Sequence, residues 1–514
     1  MKQNLTTREW IGFIAMIIGM FMAILDIQVV ASSLTQIQAG LSCTSDEISW
    51  VQTSYVIAEI VVIPLSGWFV KAFSTRFLFV GGCALFTLFS FFCSLSWSLE
   101  SMVVFRILQG FFGGVLIPTT FSMIFIMFPK EKQPNITVLI GLVVTIAPTL
   151  GPVLGGYLTE IFNWPMIFLV NIIPGIIVCI LTWIFVDVDK PQLRMLKHID
   201  YLGIVCIAVF LGSLQYVLEE GARESWFDSN KIILATFTTI SFGALTLVRE
   251  LTCKAPIINL YAFKNRNFAL GCVFSFVMGW GLFAALYLMP TYLALVKDLN
   301  SYDIGMYMMV TGICQLLSAV FAKMAAAKMD LRAVLFIGIF MFGLGMHLNG
   351  LASFEDGYDE FFWPQVIRGS ALMFFFLPIN TLSFGTMPVH EINNASSLYN
   401  LMRNVGGAVG LAILNTGLIQ NQKHYFASIR QSATETSLAT SQWIEKMSLY
   451  MEQIDTSWPL EKSLSLLTML FKRESLIMAY NHAYLLTGIF FFISCFFIVF
   501  FKSPKEGAST TVLE

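Results

Sequence analysis

Charge is scarce in this sequence. Only 12% of its 514 residues are Asp, Glu, Lys or Arg, whereas a soluble domain carries about 25%. The net charge of −2 offers no basic surface to a nucleic acid. In place of charge, 57% of the residues are hydrophobic and the mean hydropathy is +0.75. Because apolar runs of about 20 residues recur along the chain, the composition predicts an all-α integral membrane protein surrounded by lipid.

The groups that enzymes and metal sites need are also few. The chain has five histidines and nine cysteines, and no two cysteines form a Cys-x-x-Cys pair, so we expect neither metal ligation nor disulfides. It has no Gly-x4-Gly-Lys-Ser/Thr sequence, which argues against ATP as the direct energy source. The scattered histidines supply no converging catalytic groups. We therefore expect no enzymatic activity and no cofactor.

The apolar runs predict fourteen membrane spans. The first run is too long for a cleaved signal peptide and has no clear small-residue cleavage site. Short loops separate most of the spans, and their ends are placed to within a few residues. The predicted spans are 10–33, 48–70, 77–97, 101–127, 136–158, 165–186, 201–218, 231–249, 268–292, 304–326, 332–353, 363–386, 397–419 and 483–501.

Lys and Arg in the loops predict the orientation of these spans. With the N-terminus inside, the inner segments hold 18 Lys and Arg residues. The short outer loops hold three, namely Arg223, Lys231 and Lys297. Cytoplasmic loops carry the excess of basic residues. Both termini are therefore predicted to lie in the cytoplasm, which requires an even number of spans.

The spans divide into three groups. Residues 188–267 contain two spans flanked by charged loops, and their removal leaves six spans on each side. We therefore predict an N-terminal half at 1–187, an inserted pair at 188–267 and a C-terminal half at 268–514. Six plus six is the repeat pattern of transporters whose substrate site lies between two halves near the membrane midplane.

A polar segment, 420–482, interrupts the C-terminal half on the outer side. Its apolar residues recur at helical spacing. We expect one or two short helices that lie on the membrane or against the body. Two interpretations stay open at this point: a packed surface loop, or a docking surface for a partner.

Five charged residues lie at least five residues from either end of a predicted span: Asp26, Glu59, Arg106, Arg368 and Arg403. A charge at the bilayer centre costs about 2.5–3.5 kcal/mol on insertion scales, so each should face a partner, a cavity or a pathway. Asp26 and Glu59 are candidates to bind a transported proton, and the structural alternative for Asp26 is a permanent ion pair or a cap at a helix kink. Arg368 and Arg403 are candidates to bind an anionic group or to pair structurally, and the second role is favoured for Arg403 near the inner end.

The fifth span is rich in glycine and proline. It contains Gly151, Pro152, Gly155 and Gly156 in a single short stretch. Small residues allow two membrane helices to approach closely, and proline bends a helix. We expect both close packing and a hinge that seals a central cavity.

Several motifs occur together in the order of a known family. Leu25-Asp26 with the following VVASSL resembles LDxTIVNVALP, and Arg106-Ile-Leu-Gln109-Gly110 matches RxxQG. Gly151-Pro152-Val-Leu-Gly155-Gly156 matches the antiporter motif GPxxGG. WVQTSYVIAEIVVIPLSGW, NWPMIFLVNIIPG, RNVGGAVG and MAYNHAYLLTG resemble other family segments. Over nearly its whole length, the chain resembles the fourteen-span drug/proton antiporters of the major facilitator superfamily, of the EmrB/QacA type.

The resemblance implies a fold and an activity. It implies export of small amphipathic compounds by alternating access, driven by the proton gradient across a bacterial inner membrane. In such an antiporter Asp26 or Glu59 would carry the coupling proton, and Arg106 would adjust its proton affinity. EmrB-like pumps of double-membrane bacteria work with a periplasmic adaptor and an outer-membrane channel, whereas QacA-like pumps act alone.

The chain departs from the family in one loop and leaves rival functions open. The usual loop GxLaDrxGrr has Lys71 in place of its acidic residue and Ser74 in place of its second glycine, which removes the usual charge relay between halves. EmrB-like members resemble the chain in having Lys there. The alternative function is a dedicated exporter of one metabolite, such as a siderophore. An uptake symporter is disfavoured by the antiporter motif.

Overall fold

The computed structural model describes residues 6–44, 47–129, 132–253, 256–433, 438–454 and 459–502, and within them the protein is helical with no strand. Short 3-10 helices occur at Leu193–His198, Trp226–Asp228, Leu260–Lys264, Val389–Glu391 and Phe496–Phe500. The α-helices are α1 Thr7–Ser32, α2 Leu34–Leu41, α3 Trp50–Phe73, α4 Thr75–Ser94, α5 Leu99–Gly113, α6 Leu116–Met127, α7 Gln133–Ile161, α8 Met166–Leu169, α9 Ile172–Phe185, α10 Tyr201–Glu220, α11 Asn230–Thr252, α12 Arg266–Leu295, α13 Ser301–Lys328, α14 Leu331–Asn349, α15 Tyr358–Phe384, α16 Ile392–Ser432, α17 Leu438–Ile454 and α18 Pro459–Cys495.

Every predicted span coincides with helix. In the described parts of the chain, twelve helical segments are long and apolar enough to cross a membrane, and the bent helix α7 makes a thirteenth. The remaining predicted span, 397–419, lies within α16, which does not pass that test. The polar residues Asn400, Arg403, Asn404 and Asn415 lower its hydropathy. The predicted number of fourteen is therefore only partly confirmed.

Successive long helices run in opposite directions, so each end of the bundle contains the starts of some helices and the ends of others. The guanidinium of Arg8, at the start of α1, donates to the Ile184 carbonyl near the end of α9 at 2.7 Å. Asn267 Nδ2, at the start of α12, donates to the carbonyl of Lys502 at 3.0 Å. We call this end, where α1 begins, the basic end. Its assignment to the cytoplasm stays a prediction, and residues 1–5 and 503–514 lie outside the described residues.

The two halves meet along two seams. One seam joins α3 to α16, and the other joins α7 to α13. Helix α10 packs against both α3 and α16 at the first seam, whereas α11 packs mainly against α10. The inserted pair therefore covers one seam, and the predicted domain boundaries at 187 and 267 stay predictions.

A capping interaction ties the inserted pair together at the basic end. Asp200 caps α10 by accepting a hydrogen bond from the backbone N–H of Gly203 at 3.0 Å. Its two carboxylate oxygens also accept from Arg249 of α11, each at 2.9 Å. The hydrogen bond from Arg249 lowers the pKa of Asp200.

The polar segment 420–482 is built differently from the expectation. It contains the distal part of α16, then α17, then the first half of α18, and α17 packs against α18. Residues 434–437 and 455–458 lie outside the described residues. The chain has neither glycine nor proline between Gly417 and Pro459, so nothing ends the helix at the membrane surface. Helix α17, packed against α18, fits the expectation of a short helix lying against the body, whereas the rest of the segment prolongs α16 and α18, which was not expected.

Candidate functional site

Arg106 lies at the centre of a buried polar network in the N-terminal half. Its side chain is fully buried. Its Nη1 donates to Asp26 Oδ2 at 2.6 Å and to Gln109 Oε1 at 2.7 Å, and its Nε donates to the Val51 carbonyl at 3.0 Å. The expectation that this cation needs a partner is met by a direct ion pair with Asp26.

Asp26 has further donors besides Arg106. Its Oδ1 accepts from Gln109 Nε2 at 3.2 Å and from Asn171 Nδ2 at 2.8 Å. Asn171 also donates to Ser90 Oγ at 3.1 Å. Three helical elements (α1, α5 and the junction of α8 and α9) thus meet at one carboxylate, and α4 is joined to it through Asn171. These three donors compensate the burial of the carboxylate.

Each of the three defining residues of the RxxQG motif has its own structural role. Arg106 supplies the cation, and Gln109, one helical turn later, both donates to Asp26 and accepts from Arg106. A Cβ on Gly110 would lie 3.0 Å from the Tyr55 carbonyl carbon, so only glycine lets α5 approach α3 this closely. The ring of Tyr55 then lies 4.1 Å below the Arg106 guanidinium, within the range of a cation–π interaction.

The antiporter motif packs α7 against α1. A Cβ on Gly151 would collide with Gln28, and one on Gly155 would lie 2.8 Å from the Val29 carbonyl. Gly156 is buried in the same helix. Helix α7 bends by 41° between its segments Gln133–Pro148 and Leu150–Ile161, as expected where Pro152 clashes with the carbonyl four residues earlier. Close packing and a bend therefore coexist in this motif.

A cavity of about 470 Å³ lies between the two halves. It is lined by the last third of α1 (residues 24–32) and the first half of α3 (residues 52–60), both remote from the basic end, as well as by α7, α10, α12 and α16. Its polar side chains include Gln28, Gln52, Glu59, Gln215, Glu219 and Arg403. Its volume is in the range of sites for drug-sized ligands.

Glu59 and Arg403 face this cavity from opposite halves. Glu59 is 4% exposed, and within the described residues its carboxylate has no hydrogen bond and no salt bridge at 4.0 Å or less. The Arg403 guanidinium lies 5.4 Å from the centre of the Phe121 ring, and its Nη1 has no hydrogen-bond partner in the part of the chain that the structure describes. The structural ion pair favoured for Arg403 is thus not formed with any described carboxylate.

Packing closes the cavity toward the basic end. Phe125 of α6 stacks on Phe384 of α15, with ring centres 4.6 Å apart. Ser66 and Ser397 share a hydrogen bond of 2.9 Å between α3 and α16, where a Cβ on Gly67 would lie 2.9 Å from the Ser397 hydroxyl. These contacts are uncharged, which accords with the missing acidic residue in the loop that follows Gly67.

Arg368 is not brought to the cavity. It is buried between α13 and α15, where its Nη2 donates to Thr311 Oγ1 at 3.2 Å. Its Nε and Nη1 have no hydrogen-bond partner among the described residues. No described carboxylate pairs with it, so the second half has a buried arginine without the acidic partner that Arg106 has in the first.

Asn171 of the network and Glu219 of the cavity are among the polar residues that were missed from the sequence. Asn171 stands in an apolar run between α8 and α9, and its only signal was an amide inside a span. Glu219 follows directly after the predicted end of its span at residue 218, so it was taken as part of the outer loop. In the structure α10 continues to Glu220. No group of three or more His, Cys, Asp or Glu side chains in the described residues could hold a metal ion.

Comparison with known proteins identifies the family. The pattern of the major facilitator superfamily matches residues 16–411. The chain is 38% identical over 498 residues to the "Colistin resistance protein EmrB" of Acinetobacter baumannii, covering 97% of both chains. It is 28% identical over 499 residues to the "Multidrug export protein EmrB" of Escherichia coli K12, covering 96% of this chain and 95% of that one.

Solved structures show the same fold. A bacterial homologue of the human lysosomal transporter Spinster, crystallised in an inward-facing and unoccupied conformation, matches with a TM-score of 0.55 at 13% identity, covering 98% of this chain and all of that one. The human organic anion transporter MFSD10 matches with a TM-score of 0.54 at 8% identity, covering 94% and 99%. The protein therefore belongs to the major facilitator superfamily and, within it, to the EmrB-type family of drug exporters.

Proposed function

We propose that the protein exports amphipathic compounds in exchange for protons, with Glu59 as the residue that carries the coupling proton. The observation that carries this proposal is an unpaired carboxylate, Glu59, in a cavity between the two halves. Such a group can exchange a proton with the cavity and with a bound substrate. Arg403 faces the same cavity from the other half, so movement of the halves changes the field at Glu59.

Asp26 is the weaker of the two proton candidates. To take up a proton it would give up the ion pair with Arg106 and weaken the hydrogen bonds from Gln109 and Asn171. Removing the charge from a buried pair leaves the other charge uncompensated, which costs about 3–5 kcal/mol. We assign Asp26, Arg106 and Gln109 to positioning α1 against α5, so that the first half moves as one body.

Alternating access would use two features, the closed packing between Phe125 and Phe384 and the bend of α7. With the basic end in the cytoplasm, the packed pair Phe125–Phe384 closes the inner side and the cavity lies on the outer side, so the conformation faces outward. Opening the inner side requires α6 to part from α15 and α7 to move at its bend near Pro148 and Pro152. The antiporter motif then acts as both packing surface and hinge.

The proton gradient supplies enough energy for this cycle. At about −100 mV each proton that moves inward releases about 2.3 kcal/mol, and one or two protons can sustain a sizeable substrate gradient. The chain then needs no nucleotide. Its place would be the inner membrane of a bacterium, with both termini in the cytoplasm.

Amphipathic drugs are the substrate class we favour. The cavity combines apolar walls with a few charged and amide groups, which suits varied apolar ligands with one polar end. The relatives described above are named for colistin resistance and multidrug export, and "Fatty acid resistance protein FarB" of Neisseria gonorrhoeae is 30% identical over 399 residues, 78% of each chain. These names disfavour a dedicated siderophore exporter.

A periplasmic adaptor and an outer-membrane channel are the partners we propose for the outer face. Helix α16 has 41 residues, or about 60 Å at 1.5 Å per residue, against a hydrocarbon core of about 30 Å. The hairpin of α16, α17 and α18 therefore projects on the outer side, where an adaptor would contact it. The exposed side chains of Leu449, Tyr450 and Met469 provide apolar contact points.

Inverted membrane vesicles with a pH-sensitive dye test the proposal. Substrate should dissipate the pH gradient in wild type, and Glu59→Gln should abolish this response. Asp26→Asn serves as the comparison, because it should lower the amount of folded protein more than the response per folded molecule. Glu224→Gln, in the outer loop, is the matched control. If Glu59→Gln still exchanges protons for substrate as wild type does, Glu59 is excluded as the proton carrier. If substrate makes the vesicle interior more acidic instead of dissipating the gradient, the protein is a symporter.

A further inference from the structure

The inserted helix α10 contributes a second carboxylate to the central cavity. Glu219 and Gln215 both line it, and Gln215 Nε2 donates to Glu219 Oε2 at 2.9 Å. The neighbouring Glu220 is turned toward α3 and accepts from Thr53 Oγ1 at 3.2 Å, and it pairs with Arg223 at 3.0 Å. Successive residues on a helix point about 100° apart, so one acidic side chain fixes α10 to α3 while the other faces the cavity.

The two cavity carboxylates stand at different depths. The contact of Glu220 with Thr53 places this end of α10 beside the first turn of α3. Glu59 is six residues further along α3, which is about 9 Å toward the basic end. Glu219 therefore lies near the outer mouth of the cavity, and Glu59 lies near its floor.

The charges in the cavity are arranged unequally along this axis. Among the described residues that line the cavity, Arg403 is the one Lys or Arg, and it lies at the level of the floor with Glu59. Glu219 has no salt bridge in the described part of the chain. At the floor the opposite charges of Glu59 and Arg403 offset each other, whereas no cation among the described lining residues faces Glu219 at the mouth. The stable position of a cationic group is therefore at the mouth, with an apolar body extending inward along the cavity walls.

We propose that Glu219 selects amphipathic cations by binding their charged head at the outer mouth of the cavity. This inference rests on the proposed export function and adds a substrate preference to it. It also gives the inserted pair a role in recognition, since α10 supplies a group that neither six-helix half contains at this place. Because α10 is fixed to α3 through Glu220, Glu219 stays beside the helix of Glu59 when the halves move.

Direct binding tests the inference without any proton gradient. Tetraphenylphosphonium, an apolar cation, is titrated calorimetrically into the purified full-length protein. Glu219→Gln should weaken binding about five- to tenfold, the effect of losing one charge pair in a partly hydrated site. Glu219→Asp should restore most of the affinity, and Glu224→Gln should bind as wild type does. Equal affinity of wild type and Glu219→Gln, or no binding by wild type, would overturn the inference.

Transport by reconstituted protein separates this inference from the proposed function. Ethidium, a cation, is compared with an uncharged amphipathic dye of similar size in proteoliposomes with an imposed pH gradient. Glu219→Gln should slow ethidium about five- to tenfold and leave the uncharged dye unchanged, whereas Glu59→Gln should stop both. Equal loss of both dyes in Glu219→Gln would contradict charge selection. If wild type binds the cation through Glu219 but exchanges no protons, the proton-exchange proposal fails and the binding role of Glu219 stands.

Discussion

The Asp26–Arg106 pair allows a quantitative test of its structural role. Both side chains are fully buried and their charged atoms are 2.6 Å apart. Removing one partner leaves the other charge buried and uncompensated, so Asp26→Asn and Arg106→Gln should each destabilise the protein by about 3–5 kcal/mol. The double variant contains no unpaired charge. It should therefore be more stable than the sum of the two losses predicts, by about 2–3 kcal/mol.

Unfolding of the purified protein by added sodium dodecyl sulfate, followed by tryptophan fluorescence, measures these free energies. Lys231→Gln provides the comparison, because Lys231 pairs with Glu224 at 3.4 Å with its side chain 73% exposed. Exposed pairs contribute about 0–1 kcal/mol. Additive losses in the double variant, or losses no larger than that of Lys231→Gln, would refute the assignment of the pair to holding α1 and α5 together.

Two further predictions concern packing and capping. Gly110→Ala should destabilise the protein by about 1–3 kcal/mol, because its Cβ meets the Tyr55 backbone. The control Gly81→Ala has open space around its Cβ and should be neutral or stabilising by up to about 1 kcal/mol. Detergent unfolding of both variants compares their free energies of unfolding directly. Asp200→Ala should cost about 1–3 kcal/mol and Asp200→Asn less, because asparagine keeps the helix cap but loses the ion pair with Arg249. Arg249 lowers the pKa of folded Asp200. The free energy of unfolding of wild type should therefore exceed that of Asp200→Asn above about pH 4, and the difference should decline as the pH falls further. A difference that grows in acid would contradict this.

Hydropathy predicted the helices well because lipid leaves few alternatives for the backbone. A chain in hydrocarbon must satisfy its backbone hydrogen bonds internally, so apolar runs become helices almost without exception. The span within α16 is the instructive case. The structure forms a helix there, although Arg403 and its neighbouring asparagines make the segment too polar to count as a membrane span by hydropathy. Its continuation to Ser432 was not foreseen, because no sequence signal marks where lipid ends.

The candidate site was predictable in its residue types but not in its pairing. Arg106 had to meet a partner, yet Asp26 and Glu59 were equally acceptable from the sequence, because their helices could present either side chain to α5. The packed structure shows that Asp26 meets Arg106 while Glu59 faces the cavity. Glu219 was beyond prediction, since its role depends on α10 lying at the seam between the halves.

The unbroken length of α16 connects the cavity between the two halves to the far end of the hairpin. Arg403, at the cavity floor, and Ser432, at the far end, belong to one helix. The 29 residues between them span about 44 Å, so a tilt of about 10° around Arg403 would carry Ser432 through about 8 Å. A protein bound at the far end of the hairpin would therefore be displaced each time α16 tilts. The hairpin would in this way transmit the conformation of the cavity to its partner.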